Sequence, residues 1–210
     1  MDDSKGLLAV WMDAPPELED DLNAWYSSEH LAERIAIPGF LSARRYVSLQ
    51  GEPKYIALYR LTDVGVLQSE AYQAAAQNPT PETTRVTGAL TAFIRNEYAL
   101  EYASGDLSAA AAPYVFLVRI ECDLEYDEEM RRWYGEEHLP AIAGVEGVQS
   151  ARLYRATVGT PRLLAAYEVA APEIPGSPVW RAAIDSPWTD KMRPLFKNRS
   201  NNLGRLIDQR

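Results

Sequence analysis

Sliding the chain along itself by 108 residues lays 6–102 on 114–210 without a gap, with 21 identities in 97 positions. The identities are concentrated: 14 of them fall in the 35 positions from 25 to 59. Trp25-Tyr26-x-x-Glu29-His30-Leu31 returns as Trp133-Tyr134-x-x-Glu137-His138-Leu139. Gly39-x-x-Ser42-Ala43-Arg44-x-Tyr46 returns as Gly147-x-x-Ser150-Ala151-Arg152-x-Tyr154. Gly51-x-Pro53 and Ala57-x-Tyr59 match Gly159-x-Pro161 and Ala165-x-Tyr167, and further on Pro79 and Arg85 lie on Pro187 and Arg193. A solenoid repeats every ~20–50 residues, so a period of 108 points to a duplicated domain. The expected units are 1–102 and 114–210, joined by a linker at 103–113 that reads ASGDLSAAAAP, small and without bulky side chains.

Each unit reads β-α-β-β-α-β. The first strand is Leu7–Met12 or Tyr114–Ile120. A helix with an acidic first turn follows, ending near Ala36 or Ala143, and acidic residues there suit the positive end of the helix dipole. Phe40–Leu49 and Tyr55–Leu61 form a hairpin around Gly51-Glu52-Pro53; Val148–Val158 and Leu163–Val169 form its counterpart around Gly159-Thr160-Pro161. A short second helix covers Gln68–Gln77 or Val179–Asp185, and the last strand is clear at Leu90–Tyr102 but weak near Leu203–Ile207. The fold class is therefore α+β: two ferredoxin-like repeats, each a four-stranded antiparallel sheet with helices on one face. The bare faces are partly apolar and need cover, which the repeats supply by packing sheet to sheet as a pseudo-dimeric barrel within one chain.

Composition narrows the partners. With 21 basic and 30 acidic residues the chain carries a formal charge of −9, which repels nucleic acid, and no basic patch offsets it. The single Cys122 fits a reducing cytoplasm and excludes a thiolate metal cluster. The apolar run from Leu7 to Met12 is too short for a membrane span or a signal segment, so a cytoplasmic protein is expected. No Gly-rich phosphate loop, nucleophile elbow or His-Glu-x-x-His pattern occurs, and neither a metal nor an organic cofactor is expected.

The repeated polar residues are the candidates for chemistry. On the first helix Leu18, Leu22, Trp25 and Glu29 share a stripe, as do Tyr126, Met130, Trp133 and Glu137, so a stripe aimed at the sheet ends in a carboxylate. Tyr26, His30, Tyr134 and His138 flank it, while Leu31 and Leu139 fall off it. Such a carboxylate is either held by Arg44 or backbone donors as structural glue, or faces a cavity as an acid or base. His30 and His138 are the two histidines of the chain and occupy matching positions. Imidazole suits proton transfer near neutral pH, with Glu29 and Glu137 to orient it; the alternative is a cap on the helix C-terminus. Arg44 with Tyr46, and Arg152 with Tyr154, share one face of the second strand, where they bind an oxyanion or fasten the halves together. Tyr59 and Tyr167 stand beside Ala57 and Ala165, as in a pocket wall or in ordinary packing.

W-Y-x-x-E-H-L, P-G-F and S-A-R-R-Y together resemble the EthD-like branch of the dimeric α+β barrel superfamily, and both halves carry the pattern. Unit two departs from it at Glu146-Gly147-Val148 and at Leu153. The resemblance implies two ferredoxin-like halves forming one barrel, as a monomer with an internal pseudo-dimer or as a homodimer. Relatives include cofactor-free monooxygenases, muconolactone isomerases, polyketide cyclases and haem-dependent enzymes, which tend to hold small aromatic molecules between sheet and helices. The expected function is a cofactor-free isomerase, lyase or cyclase acting by proton transfer on an aromatic or polyketide-like compound. Its catalytic groups would be His30, Glu29, His138 and Glu137. Its substrate would rest on Trp25, Tyr26, Arg44, Tyr46 and Tyr59, or on Trp133, Tyr134, Arg152, Tyr154 and Tyr167. The alternatives are a non-catalytic binding protein and a cofactor-independent monooxygenase.

Overall fold

The computed structural model describes residues 4–108 and 110–210; residues 1–3, at the start of the first expected unit, and 109, within the expected linker, lie outside the described residues. The first half runs β1 (Gly6–Asp13), α1 (Glu19–Trp25), a π-helical turn (Tyr26–His30), α2 (Leu31–Ile35), β2 (Phe40–Gln50), β3 (Tyr55–Leu61), α3 (Glu70–Gln77), α4 (Pro81–Gly88) and β4 (Ala92–Gly105). The second half runs β5 (Tyr114–Glu121), α5 (Asp127–Trp133), a second π-helical turn (Tyr134–His138), α6 (Leu139–Ala143), β6 (Val148–Val158), β7 (Leu163–Val169), α7 (Pro178–Ala183), α8 (Pro187–Met192) and β8 (Lys197–Gln209).

All eight strands close into one antiparallel barrel, in the order β1-β3-β2-β8-β5-β7-β6-β4. The strand order within the first half is the same as within the second, and the halves meet at two seams, β2–β8 and β4–β6. A strand between a barrel interior and a helical layer must be apolar on both faces, which explains the unbroken run Leu7–Met12. Leu7, Ala9 and Trp11 join Tyr46, Ile56, Leu58, Tyr98, Val115, Leu117, Tyr154, Leu164 and Ala166 inside the barrel. Leu8, Val10 and Met12 point outward and pack beneath the first-half helices. Val118 and Ile120 do the same in the second half.

Three sequence expectations change. The second helix of each unit is two helices, because Pro81 and Pro187 start new ones, with Thr80 and Ser186 as N-caps accepting from Thr83 N and Thr189 N. The last strand of the second half is a full strand of 13 residues, its polar sequence notwithstanding, because two neighbours pair with it. In the first half β4 continues to Gly105, into the segment expected as linker.

The matching offset also changes along the chain. It is 108 through the hairpins, but Thr80 and Ser186 cap equivalent helices, and Arg85–Asp21 and Lys191–Glu129 are equivalent ion pairs. Both comparisons place the later residues 106 apart, so the second half is two residues shorter than the first before α8. The ungapped identities Pro79/Pro187 and Arg85/Arg193 are therefore coincidental.

The shifted offset brings Asn96 and Asn202 into correspondence, and each ties its own last strand to the hairpin of the other half. Asn96 Nδ2 donates to Thr160 O at 2.9 Å and to the Tyr98 hydroxyl at 2.7 Å. Asn202 Nδ2 donates to Ser48 Oγ at 3.1 Å and Pro53 O at 3.4 Å. The hairpin glycines permit this approach: Gly51 and Gly159 have φ of 87° and 96°. A Cβ on Gly159 would lie 2.2 Å from Asn96 Oδ1, and one on Gly51 1.9 Å from Asn201 O. Gly159→Ala is expected to destabilise the fold by about 2 kcal/mol or more, combining left-handed strain with loss of the clamp. Thermal unfolding checks it; a melting temperature equal to wild type would refute the clamp.

Candidate functional site

The π-helical turn sits under the repeated aromatic motif in both halves. Its extra residue rotates everything after it relative to a regular α-helix, so the buried face passes from Trp25 to Tyr26 and on to Leu31. Tyr26 and Tyr134 are buried, and Leu31 and Leu139 are completely enclosed rather than off the packed stripe. The rings form a compact stack. The His30 ring centroid lies 4.2 Å from Trp25 and 5.1 Å from Tyr26; that of His138 lies 4.5 Å from Trp133 and 5.0 Å from Tyr134.

The same rotation takes the carboxylates away from the imidazoles. Glu29 Oε1 accepts from Thr80 Oγ1 at 2.6 Å and from Thr83 Oγ1 at 3.2 Å, and Thr83 Oγ1 accepts from Trp25 Nε1 at 3.1 Å. Glu137 Oε1 accepts from Ser186 Oγ at 2.5 Å, and Trp133 Nε1 donates to Thr189 at 3.3 Å. Both glutamates thus dock the first helical layer onto the N-terminus of the last short helix. Neither hydrogen-bonds to a histidine, and the partner of Glu29 is a pair of hydroxyls rather than Arg44.

His138 is buried, and its Nε2 stands 2.9 Å from the Tyr167 hydroxyl. His30 makes no such bond to Tyr59; its nearest charge partner is Glu33, 3.8 Å from Nδ1. Burial, with Arg193 adding to it, pushes the His138 pKa down to about 3, and burial with Arg34 and Arg45 does the same for His30. Both imidazoles are therefore neutral at pH 7, which argues against a charged cap on the helix end. Burial also holds the Tyr59 and Tyr167 phenols well above their ordinary range.

Each histidine lines a cavity between the outer face of the barrel and the helices. The second-half cavity measures about 470 Å³ and is walled by Phe116, Trp133, Tyr134, Trp180 and Phe196, with His138 among the lining. Arg181, Arg193 and Arg199 line it too, and no carboxylate does. The first-half cavity measures about 290 Å³ and is lined by Trp25, Tyr26, His30, Tyr59, Tyr72 and Phe93, together with Arg34 and Arg95. Such volumes and aromatic walls suit a small planar molecule.

The other expected binding residues lie elsewhere. Ser42, Arg44 and Tyr46 alternate with Ala43, and it is Ala43 that pairs with Tyr59, so Arg44 and Tyr46 project into the barrel while Tyr59 projects toward the helices. Arg152 and Tyr154 likewise face inward. The sheet thus separates these four from His30 and His138, and they cannot share one ligand with them. The partner of the two arginines is Glu168: Arg44 Nη1 contacts its Oε1, Arg60 and Arg152 reach its Oε2 at 2.7 Å and 2.9 Å, and Ser150 Oγ donates to it at 2.7 Å. Burial alone would raise the Glu168 pKa, but Arg60, Arg44 and Arg152 outweigh it and bring it to about 2. Of the two roles open to Arg44 and Arg152, fastening the halves is the one this contact set matches.

Apart from Arg193, which the ungapped repeat pairs with Arg85, the arginines at the cavities carry no mark in the sequence. Arg34 corresponds to Ile142, and Arg199, beyond the change of offset, corresponds to Phe93, so neither cation is repeated. Among the described residues no three His, Cys, Asp or Glu side chains could together hold a metal ion. No helix among them is long and apolar enough to cross a membrane.

No protein-family model matches the chain, and no curated protein matches it in sequence. Solved structures do match in shape. An anthrone oxidase-like protein superposes with a TM-score of 0.71 at 11% identity, covering 100% of this chain and 93% of that one. A candidate monooxygenase from Fusobacterium nucleatum gives 0.66 at 8% identity, covering 98% and 94%. Chlorite dismutase from Candidatus Nitrospira defluvii gives 0.63 at 15%, covering 98% and 92%. At such identities the likeness concerns architecture alone, and on that ground the chain has the dimeric α+β barrel fold, closed here within a single polypeptide.

Proposed function

We propose that the chain is a small-molecule enzyme that needs no metal or organic cofactor and begins its reaction by removing a proton from an aromatic or polyketide-like compound. The observation that carries this reading is the His138–Tyr167 hydrogen bond beside the large aromatic cavity. In this reading His138 takes the proton, and Tyr167 is a positioning residue that fixes the imidazole. A neutral imidazole of low pKa is a weak base in the empty cavity. It strengthens when the anion it creates stands beside it, because that anion stabilises the imidazolium in a site of low polarity. Arg193 and Arg199 supply the opposing positive charge for an enolate or phenolate. His30 belongs to a second site of the same descent.

The carbanion so formed has two fates. Reprotonation at another atom gives the isomerase, lyase or cyclase chemistry expected above. Reaction with molecular oxygen gives a cofactor-independent monooxygenase, a reading favoured by the monooxygenase and anthrone oxidase-like neighbours. We also read the two halves, expected at 1–102 and 114–210 and joined after the end of β4 at Gly105, as copies of one ferredoxin-like module of the EthD-like branch in a cytoplasmic protein. The shared strand order and the 14 identities between 25 and 59 support the duplication.

Anthrone, an aromatic ketone with an acidic C–H, is a suitable probe. Proton NMR in deuterium oxide reads exchange of that hydrogen, and an oxygen electrode reads turnover. His138→Gln is expected to slow exchange by about 100-fold or more, and Tyr167→Phe by a smaller factor. The wild-type rate should show no break near pH 6.5, because the folded imidazole titrates near 3. Unchanged exchange in both His138→Gln and His30→Gln would remove the proton-transfer reading and leave a binding protein. Oxygen uptake coupled to exchange would select the monooxygenase.

A further inference from the structure

Among the described residues, Arg34 and Arg119 are arginines less than a tenth exposed that form neither a hydrogen bond nor an ion pair. Arg119 stacks on Trp11, 4.3 Å from the ring, inside the barrel. Arg34 differs, because it lines an open cavity. It is 8% exposed, its Nε is buried without a partner, and its guanidinium carbon lies 5.6 Å from the centre of the Tyr72 ring. A buried guanidinium without an anion is costly, and its fork of donors matches a carboxylate.

The surroundings supply no anion from the protein. No Asp or Glu lines the first-half cavity. Arg95, the other cation there, already holds Glu97 at 2.7 Å and the Tyr72 hydroxyl at 3.1 Å. The remaining walls carry no charged group: the neutral His30, Thr83 and Thr87 stand among Trp25, Tyr59, Phe93 and Leu90. In the second half the equivalent position is Ile142, which is fully buried in the core, so this charge is specific to the first half.

We propose that the first-half cavity is a binding site for an aromatic monocarboxylate, whose carboxylate takes both prongs of Arg34 and whose ring lies among Trp25, Tyr59 and Phe93. The site rests on the view that helix–sheet cavities of this chain hold small molecules, but not on catalysis at His138. The second-half cavity places its three arginines on exposed positions around an aromatic pocket, whereas here one arginine is enclosed with the ligand.

Isothermal titration of the full chain with 2-naphthoate and its neutral counterpart 2-naphthamide tests this. Wild type is expected to prefer naphthoate by about 10-fold or more. Arg34→Met should erase that preference, weaken naphthoate by a similar factor, and raise the melting temperature of the free protein, since an unpaired charge leaves its interior. Arg34→Lys, which keeps the charge but loses the two-pronged contact, should weaken naphthoate by a smaller factor and serves if the Met variant does not fold. His138→Gln should bind naphthoate as wild type does, whatever becomes of anthrone exchange. Equal naphthoate affinity in wild type and the Arg34 variants, equal affinity for acid and amide, or loss of binding in His138→Gln overturns the proposal.

Discussion

Glu168→Leu is expected to lower the unfolding free energy by about 3–5 kcal/mol, the largest effect of any single substitution considered. The carboxylate is 5% exposed and receives Arg44, Arg60, Arg152 and Ser150. Removing it leaves guanidiniums gathered inside the barrel without the charge that holds them together. Arg44 and Arg60 come from the first half and Arg152 from the second, so the damage falls on the junction between halves. Urea unfolding measures the loss, and a charge exchange discriminates its cause. Arg60 and Glu168 are 108 residues apart and face each other across the barrel. Arg60→Glu and Glu168→Arg should each destabilise strongly, whereas the double exchange should recover much of the loss. A double variant as unstable as the sum of the singles would show that the pair acts through shape rather than charge.

Acidification is the second large effect, and its sign follows from the buried imidazoles. His30 and His138 titrate near 3 when folded and near 6.5 when unfolded, so between those values the unfolded chain binds more protons. Stability is complete above pH 6.5 and falls as pH drops, by roughly 1.4 kcal/mol per pH unit for each histidine at most. Glu168 acts in the same direction but later: its folded pKa of about 2 gives a contribution present above about 4.5 and lost as pH falls toward 2. Urea midpoints at pH 7.5, 6 and 5 should therefore decline. Replacing one histidine with Gln should remove about half of the slope between pH 6 and 5. An identical slope in wild type and the doubly substituted chain would show that the imidazoles are not what titrates.

The barrel was legible because its strands had to be apolar on both faces and because the hairpin segments repeat: the match through Tyr59 and Tyr167 placed six of the eight strands. The C-terminal third of each half was harder to read. The second half is two residues shorter before α8, so Asn96 and Asn202, which clamp the hairpins, do not face each other at the ungapped offset of 108. The π-helical turn leaves no periodic trace, since its effect is to displace the period, and Glu29 therefore read as facing the sheet when it reaches Thr80. Alternation put Arg44 with Tyr46 on one face of β2 and Tyr59 with Ala57 on one face of β3, yet only the pairing of Ala43 with Tyr59 shows that these are opposite faces of the sheet. Arg34 was passed over for a different reason: repetition marks what both halves need to fold, and a cation in one half alone carries no such mark.

The Arg60–Glu168 contact has a further implication. Two identical subunits closing the same barrel would bring a residue at that point on the axis against its own duplicate, base against base or acid against acid. A continuous polypeptide is free of that constraint, because one codon can change while its counterpart stays. The same freedom extends outward to the paired chambers, where one chamber could acquire an interior cation and the other a charged rim without either compromise being copied.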